Sequence, residues 1–304
     1  MSEACKRVGV FALIALAGWA QAAGAQDAGK EPIDALTLAT EIQKYVLELP
    51  ALEAKATPKQ LARAVEAGKL FDKAHRRRDE LEASIQTLLG HLGVRAGYFT
   101  GDARVLLAGA KLLWKHTDKA QPATGEASLL AWACILAGDP KPAIEALRHL
   151  AAKGSDPKVA LWAKGLMPVV MRCHKPVRLS FKLLDGKEIR SAQLHGRVVV
   201  LDFWASYADP YKLVLPGIVQ FYEQRRKDKL FVMVGLSWDN TPGAAKRGIR
   251  KFGQRWPQGR DKGLGKKLGL EGIPQMVVLS ADGRIIFQGH PVAIDRIKWV
   301  VDFA

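Results

Sequence analysis

Cysteine is scarce in this chain. Three cysteines occur in 304 residues, Cys5, Cys134 and Cys173, and no two stand close enough to form a dithiol turn. The seven histidines (His75, His91, His116, His149, His174, His195 and His290) are scattered, without ligand spacing to cysteine or carboxylate. No metal or cofactor is therefore expected. No glycine-rich phosphate loop follows a strand, and Gly263-Leu264-Gly265 is a lone turn before a basic helix. No nucleic-acid motif occurs. Long apolar runs are also missing: the longest, Val8 to Ala20, is too short for a comfortable membrane span.

That run instead has the pattern of an export signal. Lys6 and Arg7 precede it, and Ala23-Gly24-Ala25 or Ala20-Gln21-Ala22 offers small residues for cleavage. A signal peptide over 1–25 and a mature start near Gln26 are expected; the alternative is an uncleaved anchor. Export places the protein in the periplasm or another extracytoplasmic space, soluble. Cys5 would leave with the signal. Cys134 and Cys173 would face an oxidising compartment. Joined, they would close a loop of about 40 residues and add roughly 4 kcal/mol. Two separate buried thiols, or a reactive Cys173 beside His174, remain open as alternatives.

Acid is in deficit. Lys and Arg number 46 against 30 Asp and Glu, for a formal charge of +16. The excess gathers at Arg225-Arg226-Lys227, Lys246-Arg247, Arg250-Lys251 and Lys266-Lys267. Outside the cytoplasm, nucleic acid is not the expected partner. A solvated, solubilising exterior is the first expectation, and an anionic membrane surface or cell-wall polymer is the partner otherwise available.

From 26 to 172 the pattern is α-helical. Ile33 to Leu49 has helical spacing and stops at Pro50. Thr57-Pro58 opens a long helical run to Leu89, with Gly68 a point of interruption and Gly90 and Gly93 its end. Asp102 starts another helix. After a linker at 121–125, three helices follow: one through Leu130 and Cys134, one through Leu147, and one from Asp156-Pro157. The Gly138-Asp139 turn between small residues resembles a tetratricopeptide hairpin, although only one repeat is legible. A helical repeat with a concave surface for a protein partner is one expectation; a packing domain without ligand is the other.

From 173 to 304 the periodicity changes. Val177 to Leu183 alternates and ends at Asp185-Gly186, a hairpin signal. Val198 to Leu201 reads as a buried strand, continuing through Asp202, Phe203 and Trp204. A polar turn leads to Pro210, placed for the first turn of a helix. Leu230 to Leu236 is a second buried strand. Thr241-Pro242 opens a helix, Met276 to Leu279 and Ile285 to Gln288 form a hairpin, and Ile294 to Phe303 closes as a helix.

The stretch Phe203-Trp204-Ala205-Ser206-Tyr207-Ala208-Asp209-Pro210-Tyr211-Lys212 resembles the active-site turn of the thioredoxin superfamily in its exported TlpA/ResA-like branch, FWA-x-W-C-G-P-C-K. Pro216, Ile273-Pro274 and the hairpin at Asp282-Gly283 follow in the family's order. The resemblance covers Val177 to Ala304. It implies an α/β thioredoxin-like fold, a central mixed sheet flanked by helices, after the α-helical N-terminal domain. It also implies a cis Ile273-Pro274 bond facing the turn and a buried acid at Asp202.

The family's two cysteines are replaced by Ala208 and Tyr211. Disulfide exchange needs a low-pKa thiolate at the helix start and a resolving thiol. Neither alanine nor a phenol with an ordinary pKa of about 10 supplies one. The turn Tyr207-Ala208-Asp209-Pro210-Tyr211 is thus expected to be degenerate, with no catalytic residue. Asp202, with no thiol to serve, should be a structural acid held by a hydrogen-bond partner such as a nearby lysine or water; left unpaired, its burial would raise its pKa. Two functions follow. One is a redox-inactive binding or scaffold module for a protein or peptide of the cell envelope, with a groove lined by Trp204, Tyr207, Tyr211, Ile273 and Pro274. The other is a thiol-disulfide oxidoreductase working through Cys134 or Cys173.

Overall fold

The computed structural model describes residues 33–52, 56–118, 124–152 and 156–304. The expected signal peptide, its cleavage sites and Cys5 lie outside the described residues.

Among the described residues, seven α-helices come first: α1 (Ala35–Glu48), α2 (Pro58–His75), α3 (Ala83–Thr100), α4 (Ala103–His116), α5 (Thr124–Ala137), α6 (Lys141–Leu150) and α7 (Pro157–Arg172). Side-chain oxygens start several of them. Asp34 accepts from the N–H groups of Leu36 and Thr37, and Asp102 from those of Arg104 and Val105. Thr57 and Gln60 form a capping box with Pro58 at the first position.

Two boundaries differ from the sequence expectation. The run from Thr57 to Leu89 is two helices, broken at Arg76–Leu81, and Gly68 lies inside α2. Gly90 and Gly93 do not end a helix, because α3 continues through both to Thr100. These glycines serve packing. A Cβ at Gly93 would enter the Phe71 ring, one at Gly97 would strike the Leu106 backbone, and one at Gly109 would lie 2.5 Å from the Val94 nitrogen. Helices α3 and α4 therefore approach almost backbone to backbone, and the Phe71 ring of α2 lies against Gly93 of α3. The helix-propensity loss at glycine is accepted for that contact.

The second part opens with a hairpin of β1 (Ser180–Lys182) and β2 (Glu188–Arg190). Then follow β3 (Val198–Trp204), α8 (Asp209–Arg225), β4 (Phe231–Ser237), α9 (Pro242–Phe252), β5 (Gln258–Arg260), α10 (Leu264–Lys267), β6 (Gln275–Leu279), β7 (Ile285–Gly289) and α11 (Ile294–Phe303). The sheet order is β5-β4-β3-β6-β7, with β3-β4 and β4-β5 parallel and β3-β6 and β6-β7 antiparallel. The mixed sheet flanked by helices is as the sequence implied. β5 was not legible there. Every residue of β3 is buried, which accounts for its unbroken apolar run.

The two parts share a core. Leu130, Ala131, Cys134 and Leu147 of α5 and α6 belong to the same apolar cluster as Val200, Phe203 and Val278 of the sheet. A second cluster, around Ile42, Phe71 and Leu89, holds α1 to α4 together. At the junction Trp299 of α11 stacks on Tyr98 at 4.2 Å and on Trp132 at 5.3 Å between ring centres. Arg284 donates to the carbonyls of Ile135 and Leu136 at the end of α5. That face of α5 is covered by β7 and α11. It is not an open surface for a partner.

Candidate functional site

The central strand ends in the turn Ala205–Ala208, and α8 begins at Asp209 with Pro210 in its first turn. β3 and β6 are in register at Phe203 and Gln275. That pairing brings the Ile273-Pro274 bond, which is cis, to the same end of the sheet as the turn.

Beneath the turn lies a buried polar network. Asp202 is 0% exposed. The Tyr211 hydroxyl donates to Asp202 Oδ2 at 2.7 Å and accepts from Gln254 Nε2 at 2.7 Å. Desolvation pushes the Asp202 carboxyl up to about 7, against the Tyr211 hydrogen bond and the Trp256 indole, which pull it down. The Trp256 contribution is the weaker, because neither its Nε1 nor Asp202 Oδ1 reaches hydrogen-bond geometry. Burial and the adjacent carboxylate raise the Tyr211 phenol well above its ordinary value, so it stays neutral. Its ring stacks against Trp204 at 5.7 Å and meets Phe252 at 5.8 Å. Trp204 Nε1 in turn donates to Gln258 Oε1.

A second acid fixes the turn from the other side. Asp239, 3% exposed, accepts from the N–H and the hydroxyl of Ser206, the latter at 2.6 Å, and from the Ser237 hydroxyl at 2.7 Å. Ser206 is thus a strut, with its N–H and its hydroxyl both spent on Asp239. Asp239 and Gln254 were missed by sequence reasoning. Ser-x-Asp at the end of β4 was a visible signal for the first; nothing in the local pattern marked the second.

The expected groove is reduced. Trp204 and Tyr211 are 0% exposed and face inward, so they line no surface. Both are bulky rings that complete the core under the turn. Pro274 is also buried, and Ile273 is half-buried. What remains at the surface is Tyr207, 64% exposed, and Leu213, 84% exposed, which the sequence did not single out. Neither the N–H nor the C=O of Ile273 has a hydrogen-bond partner among the described residues. Asp209, exposed, pairs with Lys212 at 2.5 Å, which lowers its pKa.

The two thiols are elsewhere and apart in role. Cys134 lies in α5 and Cys173 caps α7; both are buried and free, so the disulfide is not formed. Cys173 Sγ donates to the Val169 carbonyl at 3.0 Å. Burial pushes each thiol up to about 12. Such groups carry almost no thiolate at neutral pH. The buried His-free setting of Cys134 and the exposed, backbone-bonded His174 beside Cys173 give neither an activating base.

Residues 196–285 match a family model described as thioredoxin-like. The thiol-disulfide oxidoreductase ResA of Bacillus anthracis is 30% identical over 108 residues, 34% of this chain and 61% of that protein. The chain thus spans about three fifths of the length of the ResA relatives it matches. Tryparedoxin of Trypanosoma brucei brucei is 33% identical over 112 residues, 34% of this chain and 76% of that one. Among solved structures, a thiol-disulfide oxidoreductase from Bacteroides fragilis covers 37% of this chain and 88% of its own, with 24% identity and a TM-score of 0.35. A thiol:disulfide interchange protein from Chlorobium tepidum covers 42% and 94%, with 23% identity and a TM-score of 0.37.

Proposed function

This chain belongs to the thioredoxin-like family, and from that premise we propose that it is a redox-inactive member that docks an extended peptide or protein segment in the cell envelope. The observation carrying this reading is Tyr211. At the position where the family keeps its resolving thiol, a neutral phenol is hydrogen-bonded to Asp202 and buried under the turn. Ala208, at the nucleophile's position, is the N-cap of α8 and supplies no side-chain hydrogen bond. The reaction's sulfur is gone, and its place is filled by structure.

Docking is supported by what stays at the rim. Tyr207 offers an exposed ring with a polar tip. Ile273 offers an unpaired N–H and C=O, the groups an added strand uses. Export is supported by the basic residues and apolar run of the first 25 residues. No helix of the described residues is long and apolar enough to cross a membrane. The division into a helical part, 26–172, and a thioredoxin-like part, 173–304, belongs to the same proposal.

The test has two arms. The full chain should fail to reduce insulin disulfides in the presence of dithiothreitol beyond the reagent's own rate. Immobilised on a peptide library of extended apolar sequences, it should retain ligands that Tyr207→Ala loses. Insulin reduction above background overturns the inactivity; retention unchanged by Tyr207→Ala overturns the docking rim.

A further inference from the structure

The lone Gly263-Leu264-Gly265 turn and the basic residues around it acquire a setting in the fold. The β1–β2 hairpin leans on the edge strand β5: Leu184 N–H donates to the Gln258 carbonyl at 2.8 Å, and Leu183 bridges Gly259. A Cβ at Gly259 would stand 2.8 Å from the Lys182 carbonyl oxygen, so glycine is needed for that approach. Between the hairpin and the chain leaving β5 opens a cleft of about 330 Å³. This is at the lower end of small-molecule sites.

Five cations line the cleft, Arg178, Lys182, Arg260, Lys262 and Lys267, and no carboxylate does. The neighbouring acids have other partners, although Glu188 also faces Lys182 across the hairpin. Asp261 turns its carboxylate to the N–H groups of Leu264 and Gly265. Glu188 is held by Arg190 at 3.0 Å and by the Ser180 hydroxyl at 3.0 Å. Arg260 is fixed in place, with Nε and Nη2 donating to the carbonyls of Asp239 and Asn240 at 3.1 and 2.7 Å. The other four cations are exposed, and none forms an ion pair among the described residues. Apolar walls come from Leu179, Phe181 and Leu264.

Five cations and no carboxylate around one cleft give it a positive potential, which salt screens only in part at short range. Such an arrangement is relieved by a ligand of high negative charge density. A single carboxylate would leave most of it uncompensated. We propose that this cleft binds a small phosphate-dense anion, of the di- or triphosphate class, with room against the apolar walls for an organic substituent. The site is separate from the turn and does not depend on whether the protein docks peptides.

The experiment is titration calorimetry of the full chain with inorganic tripolyphosphate, alongside citrate as a carboxylate of comparable charge. Two charge-reversed pairs are compared: Lys182→Glu with Lys262→Glu in the cleft, and Lys246→Glu with Arg250→Glu on α9. Both pairs are at exposed positions and change the net charge equally. Circular dichroism checks the fold of each, and Lys267→Gln provides a milder variant. The expected result is one saturable site, weakened at least tenfold by the cleft pair, less than twofold by the α9 pair, and measurably by Lys267→Gln. Equal weakening by both pairs would reduce the effect to overall charge and overturn the site. Absence of saturable binding overturns it as well. Citrate binding as tight as tripolyphosphate overturns the phosphate assignment.

Discussion

Removing one oxygen, in Tyr211→Phe, tests the account of the degenerate turn. The Tyr211 hydroxyl is the partner of Asp202 Oδ2 and of Gln254 Nε2, each at 2.7 Å, with Asp202 fully buried. Phenylalanine keeps the ring, its stacking on Trp204 and its volume, so only the two hydrogen bonds are lost. Leaving a buried neutral group unpaired costs about 1–3 kcal/mol, and more when the group is charged. The charge on Asp202 depends on pH. Its folded pKa is raised to about 7, whereas the unfolded value is about 3.9. For a raised acid, the stability contribution is full below the unfolded pKa and is lost as pH rises through the folded pKa. The window is therefore about pH 4 to 7, and the loss across it is at most about 4 kcal/mol. At pH 5 the folded carboxyl is protonated, and Tyr211→Phe should cost about 2 kcal/mol. At pH 8 it is ionised, and the cost should rise by about a further 1–2 kcal/mol, because a hydrogen bond to a charge is lost. Asp202→Asn should gain on the wild type as pH rises from 5 to 8. The assay is equilibrium urea unfolding by tryptophan fluorescence at both pH values. Equal losses for Tyr211→Phe at pH 5 and pH 8, with a pH-independent difference for Asp202→Asn, would refute the network as described.

Other expectations follow from the same geometry. Ala208→Cys with Tyr211→Cys should introduce insulin-reducing activity, since a thiol at the α8 N-terminus has its pKa lowered there; an inactive, folded double variant would show that more than sulfur is missing. Cys134 and Cys173 should react with an aromatic disulfide reagent only after denaturation, as their thiols are buried and raised to about 12; rapid labelling of the native protein would revive a thiol function. Gly97→Ala should destabilise by about 3 kcal/mol, because the new methyl group meets the Leu106 backbone rather than a movable side chain. Arg284→Ala removes two hydrogen bonds to the end of α5, at about 1–3 kcal/mol together, and hydrogen exchange should quicken at α5 and α11; unchanged exchange there would separate the two parts.

Much of the architecture was legible. The apolar run of β3, the Asp-Gly turns and the helix at Pro242 are local patterns, and local patterns are what periodicity reports. Gly90 and Gly93 misled because their role is tertiary. Read alone a glycine is a helix breaker; against a neighbouring backbone it is the residue that fits. The groove was overdrawn for a related reason. Trp204 and Tyr211 look like aromatic anchors in one dimension, yet the strand and the first turn of α8 direct both rings inward. Tyr207, one residue before Ala208, is directed outward instead.

The sequence by itself determined that the turn carries no sulfur, because the identity of a side chain needs no fold to be known. It also determined the charge excess and, apart from β5 and the break between α2 and α3, the order of strands and helices, which follow from composition and periodicity. Only the tertiary structure decided that Tyr211 and Gln254, 43 positions apart, close a network on Asp202. It alone showed Cys134 to be a buried, free thiol, merged α5 and α6 with the core of the sheet, and gathered five cations around one cleft. Each of those is a matter of distance and burial between residues remote in the chain, and neither quantity is written in the order of the residues.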